Sequence, residues 1–194
     1  MKKILIINGH PDADHQHFCD AIVQKYTSAA TAAGHSVETI NVNKIEFPLL
    51  SSKREFDEEE PVAAVAEVQE KMRNIDHLVV VYPLWLGDMP ALLKGFFEQL
   101  FRPGFAVQPA ETKQRFRKLL KGKSARVFVT MGMPGFFYKW FFRAHTLKSL
   151  KRNILDFVGF NPVKSTVIGT ANEGNDAELK EALREVSKLG QLAN

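Results

Sequence analysis

Histidine side chains crowd a short segment near the start of the chain, where His10, His15 and His17 lie within eight residues. The segment leads into a predicted helix, and the free N–H groups at a helix N-terminus attract phosphate. We therefore expect an anion to bind here, with His15, His17 and Cys19 as further donors. A metal site is an alternative, but no second pairing of carboxylates and histidines supports it. For His15, an ordinary surface histidine is an equally good interpretation.

A second loop, from Tyr82 to Pro90, is more apolar than a solvated turn and carries Trp85. The apolar run at 77–82 before it predicts a strand that is buried on both faces. Loops at the carboxyl ends of parallel strands hold the ligand in open α/β sheets. We expect this loop to form an apolar wall for a flat cofactor. The alternative is a rigid turn whose Trp85 fills the core.

A third loop, from Met131 to Gly135, precedes an unusual run of aromatic residues. Six aromatic rings occupy seven positions, namely Phe136, Phe137, Tyr138, Trp140, Phe141 and Phe142. This run predicts either an aromatic lid over a site or a contact with another subunit.

Five segments with the pattern of strands alternate with helical segments, without an internal repeat or a linker. The predicted strands are 3–8, 36–42, 77–82, 125–130 and 163–168. This alternation predicts a single α/β domain over residues 1–194, with a doubly wound parallel sheet. Five strands favour the flavodoxin-like order 2-1-3-4-5, in which strands one, three and four are neighbours. The three loops leave these strands, so we expect them to converge on one edge of the sheet.

Helical spacing is clearest after the second loop, where residues 90–101 are apolar on more than one face. We expect this helix to be buried on two sides. The second side is covered either by the rest of its own domain or by a second subunit, and we favour the second subunit. Another helix is predicted at 147–157. Residues 43–61 lack a clear period and are expected to form a surface excursion, and residues 106–124 are expected to form a long insertion.

The composition is typical of a globular protein, since 45% of the 194 residues are hydrophobic and 25% are charged. The single cysteine excludes an intrachain disulfide and suits a reducing cytosol. No stretch approaches the ~20 apolar residues of a membrane span, and the apolar run near Met1 is too short for a signal peptide. We expect a cytoplasmic protein with no membrane span.

Several motifs resemble those of one family, in the same order along nearly the whole chain. They are Gly9-His10-Pro11-Asp12 through Phe18, the segment from Tyr82 to Phe101 with Pro103-Gly104-Phe105-Ala106 after it, and Thr130-Met131-Gly132. The most specific part is Pro-Leu-x-x-x-x-x-Pro-Ala-x-Leu-Lys-Gly-x-x-Glu, here Pro83 to Glu98. The chain resembles the flavodoxin-like NAD(P)H:quinone oxidoreductases, which include DT-diaphorase and a bacterial branch of quinone reductases.

This resemblance implies a homodimeric flavoprotein that takes hydride from NAD(P)H at the flavin N5 and reduces a quinone in a ping-pong cycle. FAD is the implied cofactor, with FMN as the alternative. The first loop would hold the diphosphate, the second would lie along the isoalloxazine, and the third would donate N–H groups near N1 and O2. The matching residues are His10, His17, Phe18 and Cys19, then Pro83, Leu84, Trp85 and Leu86, then Thr130, Met131 and Gly132.

The region after the third loop departs from the family pattern. A tyrosine and a histidine relay charge during hydride transfer in the mechanism proposed for the animal enzymes, and Tyr138 and His145 are the matching candidates here despite a different spacing. The resemblance leaves two other functions open. One is a non-catalytic flavoprotein subunit of a potassium-efflux antiporter, which could use the aromatic run at 136–142 as a contact. The other is an electron carrier like flavodoxin, which the basic composition disfavours.

Positive charge is concentrated in two stretches, although the net charge is only +4. The stretches contain Lys113, Arg115, Arg117, Lys118, Lys121, Lys123 and Arg126, and then Lys139, Arg143, Lys148, Lys151 and Arg152. A solvated surface is the first interpretation, and attraction of the 2′-phosphate of NADPH is the second. Nucleic acid is the least favoured because no nucleic-acid-binding fold is recognised, so we expect no such partner.

Overall fold

Five parallel strands form the central sheet of the computed structural model, which describes residues 1–109, 116–171 and 176–194. In chain order the strands are β1 (Lys3–Asn8), β2 (Ser36–Asn41), β3 (His77–Pro83), β4 (Val107–Pro109), β5 (Phe116–Lys118), β6 (Ser124–Thr130) and β7 (Val163–Ile168). The parallel sheet has the order β2-β1-β3-β6-β7, whereas β4 and β5 form a separate antiparallel pair. The fold is therefore the expected doubly wound α/β sheet.

The two short strands β4 and β5 were not predicted. They lie in the segment expected to be an insertion, and three residues on each strand are too few for a recognisable alternation. The predicted order 2-1-3-4-5 counted only the five strands of the parallel sheet. With the extra pair included, the last two strands of that sheet become β6 and β7.

Seven helices surround the sheet in the described part of the chain. They are α1 (Phe18–Ala32), α2 (Lys53–Glu58), α3 (Ala63–Arg73), α4 (Ala91–Leu100), α5 (Gly135–Trp140), α6 (His145–Ser149), which continues as a π-helix over Leu150–Asp156, and α7 (Asp176–Leu192). Side chains of α1 and α7 pack on one face of the sheet, and those of α3, α4 and the π-helix pack on the other. The helix predicted at 147–157 thus begins earlier, and part of the aromatic run is helical.

The second face of α4 is partly covered by the chain itself. The Phe47 ring lies 5.6 Å from the Phe96 ring, and the Leu49 side chain lies over Gly95. The buried Arg102 guanidinium, just after α4, donates to backbone carbonyls of α2 and its C-terminal end. The segment before α3 therefore supplies some of the burial that the sequence pattern assigned to a second subunit.

None of the helices in the described ranges is long and apolar enough to cross a membrane.

Candidate functional site

The three predicted loops meet at the carboxyl edge of the sheet and enclose a pocket of about 340 Å³. That volume is at the lower end of the range for small-molecule sites. The pocket is lined by His10, Asp12, His17, Phe18, Cys19, Pro83, Leu84, Trp85, Thr130, Met131, Gly132 and Ala171. Of the eleven residues expected to contact a cofactor, ten are on this list, and only Leu86 is missing.

The second loop forms the apolar wall of the pocket with Pro83, Leu84 and Trp85. The backbone N–H of Leu84 donates to the Thr130 carbonyl at 2.7 Å, which joins this loop to the third loop. Trp85 is 50% exposed and lies edge-on to the His10 ring, with centroids 6.0 Å apart. The interpretation of Trp85 as a core residue is therefore wrong, because its indole lies at the rim of the pocket.

A tight turn carries Leu86 away from the pocket. Trp85 and Asp88 exchange backbone hydrogen bonds of 2.8 and 3.0 Å around Leu86 and Gly87. Both central residues have positive φ, 48° for Leu86 and 82° for Gly87, which is the backbone of a type I′ turn. Glycine adopts this conformation easily, but leucine is strained in it. The Leu86 side chain is fully exposed to solvent.

The N-terminus of α1 forms the polar end of the pocket. The backbone N–H groups of Phe18 and Cys19 have no acceptor among the described residues, so they can bind an anion. The His10 and His17 rings stack beside them with centroids 3.7 Å apart. His17 Nε2 lies 2.7 Å from Asp12 Oδ2, and this contact orients its ring.

Burial and hydrogen bonds set the charges of this polar end. Burial, followed by the neighbouring charge of His17, lowers the pKa of His10, which is therefore neutral at pH 7. The Asp14 backbone N–H, and then the hydrogen bond to His17, lower the pKa of Asp12. Asp12 is ionised, and His10 acts as a neutral donor or acceptor rather than as a cation.

Cys19 lies on the floor of the pocket as a neutral thiol. Its Sγ is 3.4 Å from Thr130 Oγ1, and burial raises the thiol pKa to about 12. Thiolates are the reactive form of cysteine, so Cys19 is not a nucleophile at physiological pH. It contributes packing between α1 and β6.

The third loop is held from the side of β7. Thr170 donates its backbone N–H to the Met133 carbonyl, and Ala171 donates to the Met131 carbonyl at 2.9 Å. Gly169 makes this approach possible, because a Cβ there would lie 2.7 Å from the Met133 carbonyl oxygen. The N–H of Gly132 has no acceptor in the described ranges, so it is available to the polar edge of a ligand.

Tyr138 is placed behind the pocket rather than in its lining. The residue is buried, and its hydroxyl lies 2.9 Å from Thr146 Oγ1. Thr146 Oγ1 in turn donates to the Gly87 carbonyl at 2.8 Å. These two bonds tie α5 and α6 to the turn that follows Trp85. His145 is exposed and does not line the pocket, so the relay predicted for Tyr138 and His145 stays a prediction.

The comparisons with known proteins agree with this architecture. A family model described as a flavodoxin-like fold matches residues 2–189. The chain belongs to this flavodoxin-like family. The flavodoxin-like part of the resemblance is thereby confirmed.

Named relatives of this flavodoxin-like chain are oxidoreductases. An FMN-dependent NADH:quinone oxidoreductase of Nitratidesulfovibrio vulgaris is 25% identical over an alignment 215 positions long, which covers 97% of this chain and 98% of the relative. An uncharacterized NAD(P)H oxidoreductase of Haemophilus influenzae is 25% identical over 169 residues, which cover 85% and 82%. The NAD(P)H:quinone oxidoreductase structure from Methanothermobacter marburgensis has a TM-score of 0.82 at 23% identity, covering 98% of this chain and 96% of that one. This last likeness shows the fold.

The described part of the basic stretch at 113–126 does not form one surface of this flavodoxin-like protein. Lys113 and Arg115 lie outside the described residues. Lys123 donates to two backbone carbonyls before β3, and Arg126 is buried with its guanidinium over the Phe128 ring. Both lie at the N-terminal end of β6, opposite the pocket. The expectation of a solvated surface is therefore wrong for Lys123 and Arg126, whose chemistry is structural.

Sequence reasoning missed two pocket residues. Asp12 belongs to the first motif, and its role as the partner of His17 depends on how the loop folds back. Ala171 has no chemical signal, since only its position after β7 brings it to the pocket. In the described ranges no group of three or more histidine, cysteine or acidic side chains could hold a metal ion.

Proposed function

We propose that this protein is a flavin-dependent NAD(P)H:quinone oxidoreductase. The observation that carries the proposal is one pocket with an anion-binding helix N-terminus at one end and an apolar wall at the other. A flavin mononucleotide has the same two parts, a phosphate and a flat ring system. The names of the oxidoreductase relatives support the same activity.

The donor set fits the flavin group. The N–H groups of Phe18 and Cys19 would hold the phosphate, and Trp85 with its two neighbours would cover the ring. The Gly132 N–H would bind the polar edge of the ring. A bound flavin supplies two-electron chemistry, accepting hydride from NAD(P)H and passing it to a quinone. The chain itself would bind and orient the flavin and keep water out of the pocket. It needs no nucleophile for this, which agrees with the neutral, unreactive thiol of Cys19.

FMN is the cofactor we propose, although the sequence motifs gave FAD first. Two FMN-dependent NADH:quinone oxidoreductases among the relatives support this choice. An adenosine extension would have to lie outside the described pocket.

We also propose a homodimer in the cytoplasm. An apolar groove of about 690 Å³ runs beside α4, and its size and composition suit a second copy of the chain. The groove is lined by aromatic and aliphatic side chains, among them Phe56, Phe97, Phe101, Val107, Phe116, Ile154, Phe157 and Val158.

The proposed function predicts a yellow protein whose turnover needs the flavin. Purified protein should bind FMN, and the holoprotein should oxidise NADH or NADPH only when menadione is present. Trp85→Ala should bind FMN about fivefold more weakly, because a stacked aromatic ring contributes about 1 kcal/mol beyond its buried area. Flavin fluorescence titration measures this affinity.

Trp140→Ala is the matched control, since Trp140 is exposed and does not line the pocket. Its FMN affinity should equal that of the wild type. Protein that binds neither FMN nor FAD would contradict the proposed function. Equal affinities for Trp85→Ala and the wild type would show that the indole does not contact the ring.

Tyr138 should act by position rather than by proton transfer. Thr146→Val removes the hydroxyl that joins Tyr138 to Gly87, so it should weaken FMN binding about fivefold, the effect of about 1 kcal/mol for one hydrogen bond. Thr146→Ser keeps the hydroxyl and should restore the affinity. Tyr138→Phe and His145→Gln should leave the pH profile of kcat unchanged. A profile that loses one limb in either variant would instead support the predicted relay.

A further inference from the structure

Five exposed aromatic side chains lie on α5 and on the two residues after it, and three of their rings are in mutual contact. This aromatic patch consists of Phe136, Phe137, Trp140, Phe141 and Phe142. Trp140 is 79% exposed and Phe136 is 73% exposed. The Phe137 and Phe141 rings stack with centroids 5.1 Å apart, and Phe142 meets both edge-on. Contiguous apolar surface of this kind marks an interaction site rather than ordinary solvent exposure.

Only positive charge surrounds the aromatic patch in the sequence. Residues 131–155 contain five cations and no acidic residue, the cations being Lys139, Arg143, Lys148, Lys151 and Arg152. Four of them are exposed, and none of the five forms an ion pair with a residue that the structure describes. Along the chain, unpaired cations thus alternate with exposed apolar rings, and this combination complements a partner that is apolar and negatively charged. The exposed Asp88, two residues after Leu86, is the one acidic side chain of the neighbouring turn.

The aromatic patch adjoins the mouth of the pocket. Gly132 lines the pocket and lies three residues before the start of α5. On the other side, Thr146 Oγ1 donates to the Gly87 carbonyl in the turn after Trp85. A partner on the patch would therefore sit beside the entrance to the site.

Leu86 at the tip of that turn adds to the apolar surface. Its side chain is fully exposed, and its φ of 48° is unfavourable for leucine. Asparagine or glycine would stabilise the turn and make it more polar. Backbone strain of this kind is retained where the side chain has a function. Insertion of the exposed Leu86 side chain into an apolar partner would be such a function.

We propose that the aromatic patch and Leu86 dock the protein on the surface of an anionic lipid bilayer. Phenylalanine and tryptophan enter the boundary between headgroups and acyl chains, while lysine and arginine bind anionic headgroups. A second copy of the chain is a poorer partner, because two patches of equal positive charge repel each other. The exposed surface thus serves peripheral attachment, without a membrane-spanning segment.

Docking places the pocket mouth next to the membrane. Quinones with isoprenoid tails are dissolved in the bilayer, so the pocket would receive its acceptor from the lipid phase rather than from water. This consequence rests on the proposed function, whereas docking itself does not.

Flotation with vesicles tests the docking directly. The wild type should float with vesicles of phosphatidylcholine containing about 30% phosphatidylglycerol, and should float less at about 0.5 M salt than at 0.1 M. Lys139→Gln with Arg143→Gln should weaken binding about fivefold for each cation removed. Trp140→Ala with Phe141→Ala should weaken it at least about tenfold.

Matched variants on the opposite face of the sheet control for charge and hydrophobicity. Lys180→Gln with Lys188→Gln removes two exposed cations from α7, and Leu192→Ala removes an exposed leucine. Both should float like the wild type. Leu86→Asn should raise the thermal unfolding midpoint and weaken flotation, two changes of opposite sign that a general loss of folding would not produce.

The acceptor step is measured separately. Trp140→Ala with Phe141→Ala should retain turnover with water-soluble menadione and lose turnover with a long-chain ubiquinone held in the same vesicles. Wild-type protein that floats but turns over neither quinone would contradict the proposed function and leave docking supported.

Unchanged flotation of the patch variants would overturn the docking proposal. A second result would also overturn it: the wild type does not bind the vesicles, and the patch variants sediment with a lower mass than the wild type. That result would make the aromatic patch a contact between protein subunits.

Discussion

Replacing Gly169 with alanine is expected to lower the free energy of unfolding by about 3 kcal/mol, at the upper end of the usual range for overpacking. The added Cβ would meet backbone atoms of Met133, Pro134 and Gly135, which cannot move aside like a flexible side chain. The third loop would have to shift away from β7. Because Met131 and Gly132 line the pocket, we also expect FMN affinity to fall at least about tenfold.

Gly135→Ala is the matched control for this prediction. Gly135 lies in the same contact, but its added Cβ would come no closer than 3.4 Å to Val167, an ordinary van der Waals distance. This variant should keep the wild-type stability to within about 0.5 kcal/mol. Urea unfolding with flavin titration measures both quantities. Equal stability of Gly169→Ala and Gly135→Ala would show that the contact between the third loop and β7 is not tight.

The wild type is expected to lose stability in mild acid because of His77. This residue lies at the start of β3, at the end of the sheet opposite the pocket. Its Nδ1 contacts Ser124 Oγ at 2.7 Å, and its buried Nε2 has no partner among the described residues. Burial, and then the positive charges of Lys2, Arg126 and Lys164, lower the pKa of His77 to about 3.

The direction of the effect follows from proton binding. Between about pH 6.5 and pH 3 the unfolded chain binds a proton at His77 that the folded chain does not, so stability rises with pH in this window. Each unit of pH below 6.5 therefore costs about 1.4 kcal/mol, or roughly 3.5 kcal/mol by pH 4. Above pH 6.5 this contribution is complete and no longer changes.

His77→Asn removes the titration and keeps a polar atom next to Ser124. Its free energy of unfolding should fall less steeply than that of the wild type between pH 6.5 and about pH 4, when both are measured by urea unfolding. His15→Gln, at an exposed histidine, should follow the wild-type curve. A wild-type slope equal to that of His77→Asn would show that the folded protein accepts a proton at His77.

The sheet and the pocket were predictable because each strand can be recognised from its own short run of residues. A buried apolar run such as 77–82 identifies a strand, and the parallel topology then sends the loops after strands one, three and four to one edge. Residues in these loops, from His10 to Gly132, meet in one pocket without any prediction of their contacts.

What could not be predicted depends on backbone geometry and on the direction of single side chains. Leu86 leaves the pocket because the type I′ turn rotates it outwards, and nothing in its residue type foretells a positive φ. Arg126 resembles a surface cation in the sequence, yet it is buried, with its guanidinium over the Phe128 ring and donating to Thr166 Oγ1. Tyr138 differs from its aromatic neighbours only in helical phase, and a run of six rings in seven positions hides that phase.

Cys19 makes the protein a reporter of its own opening. Its thiol is buried where α1 packs against Thr130 of β6, and the sequence contains no other cysteine. A maleimide can therefore react at one place only, and only during excursions in which α1 separates from the sheet. The rate of labelling gives the frequency of those excursions in the native state. A ligand that bridges α1 and the third loop protects the thiol in proportion to its occupancy, so protection against maleimide counts bound sites without any enzymatic readout.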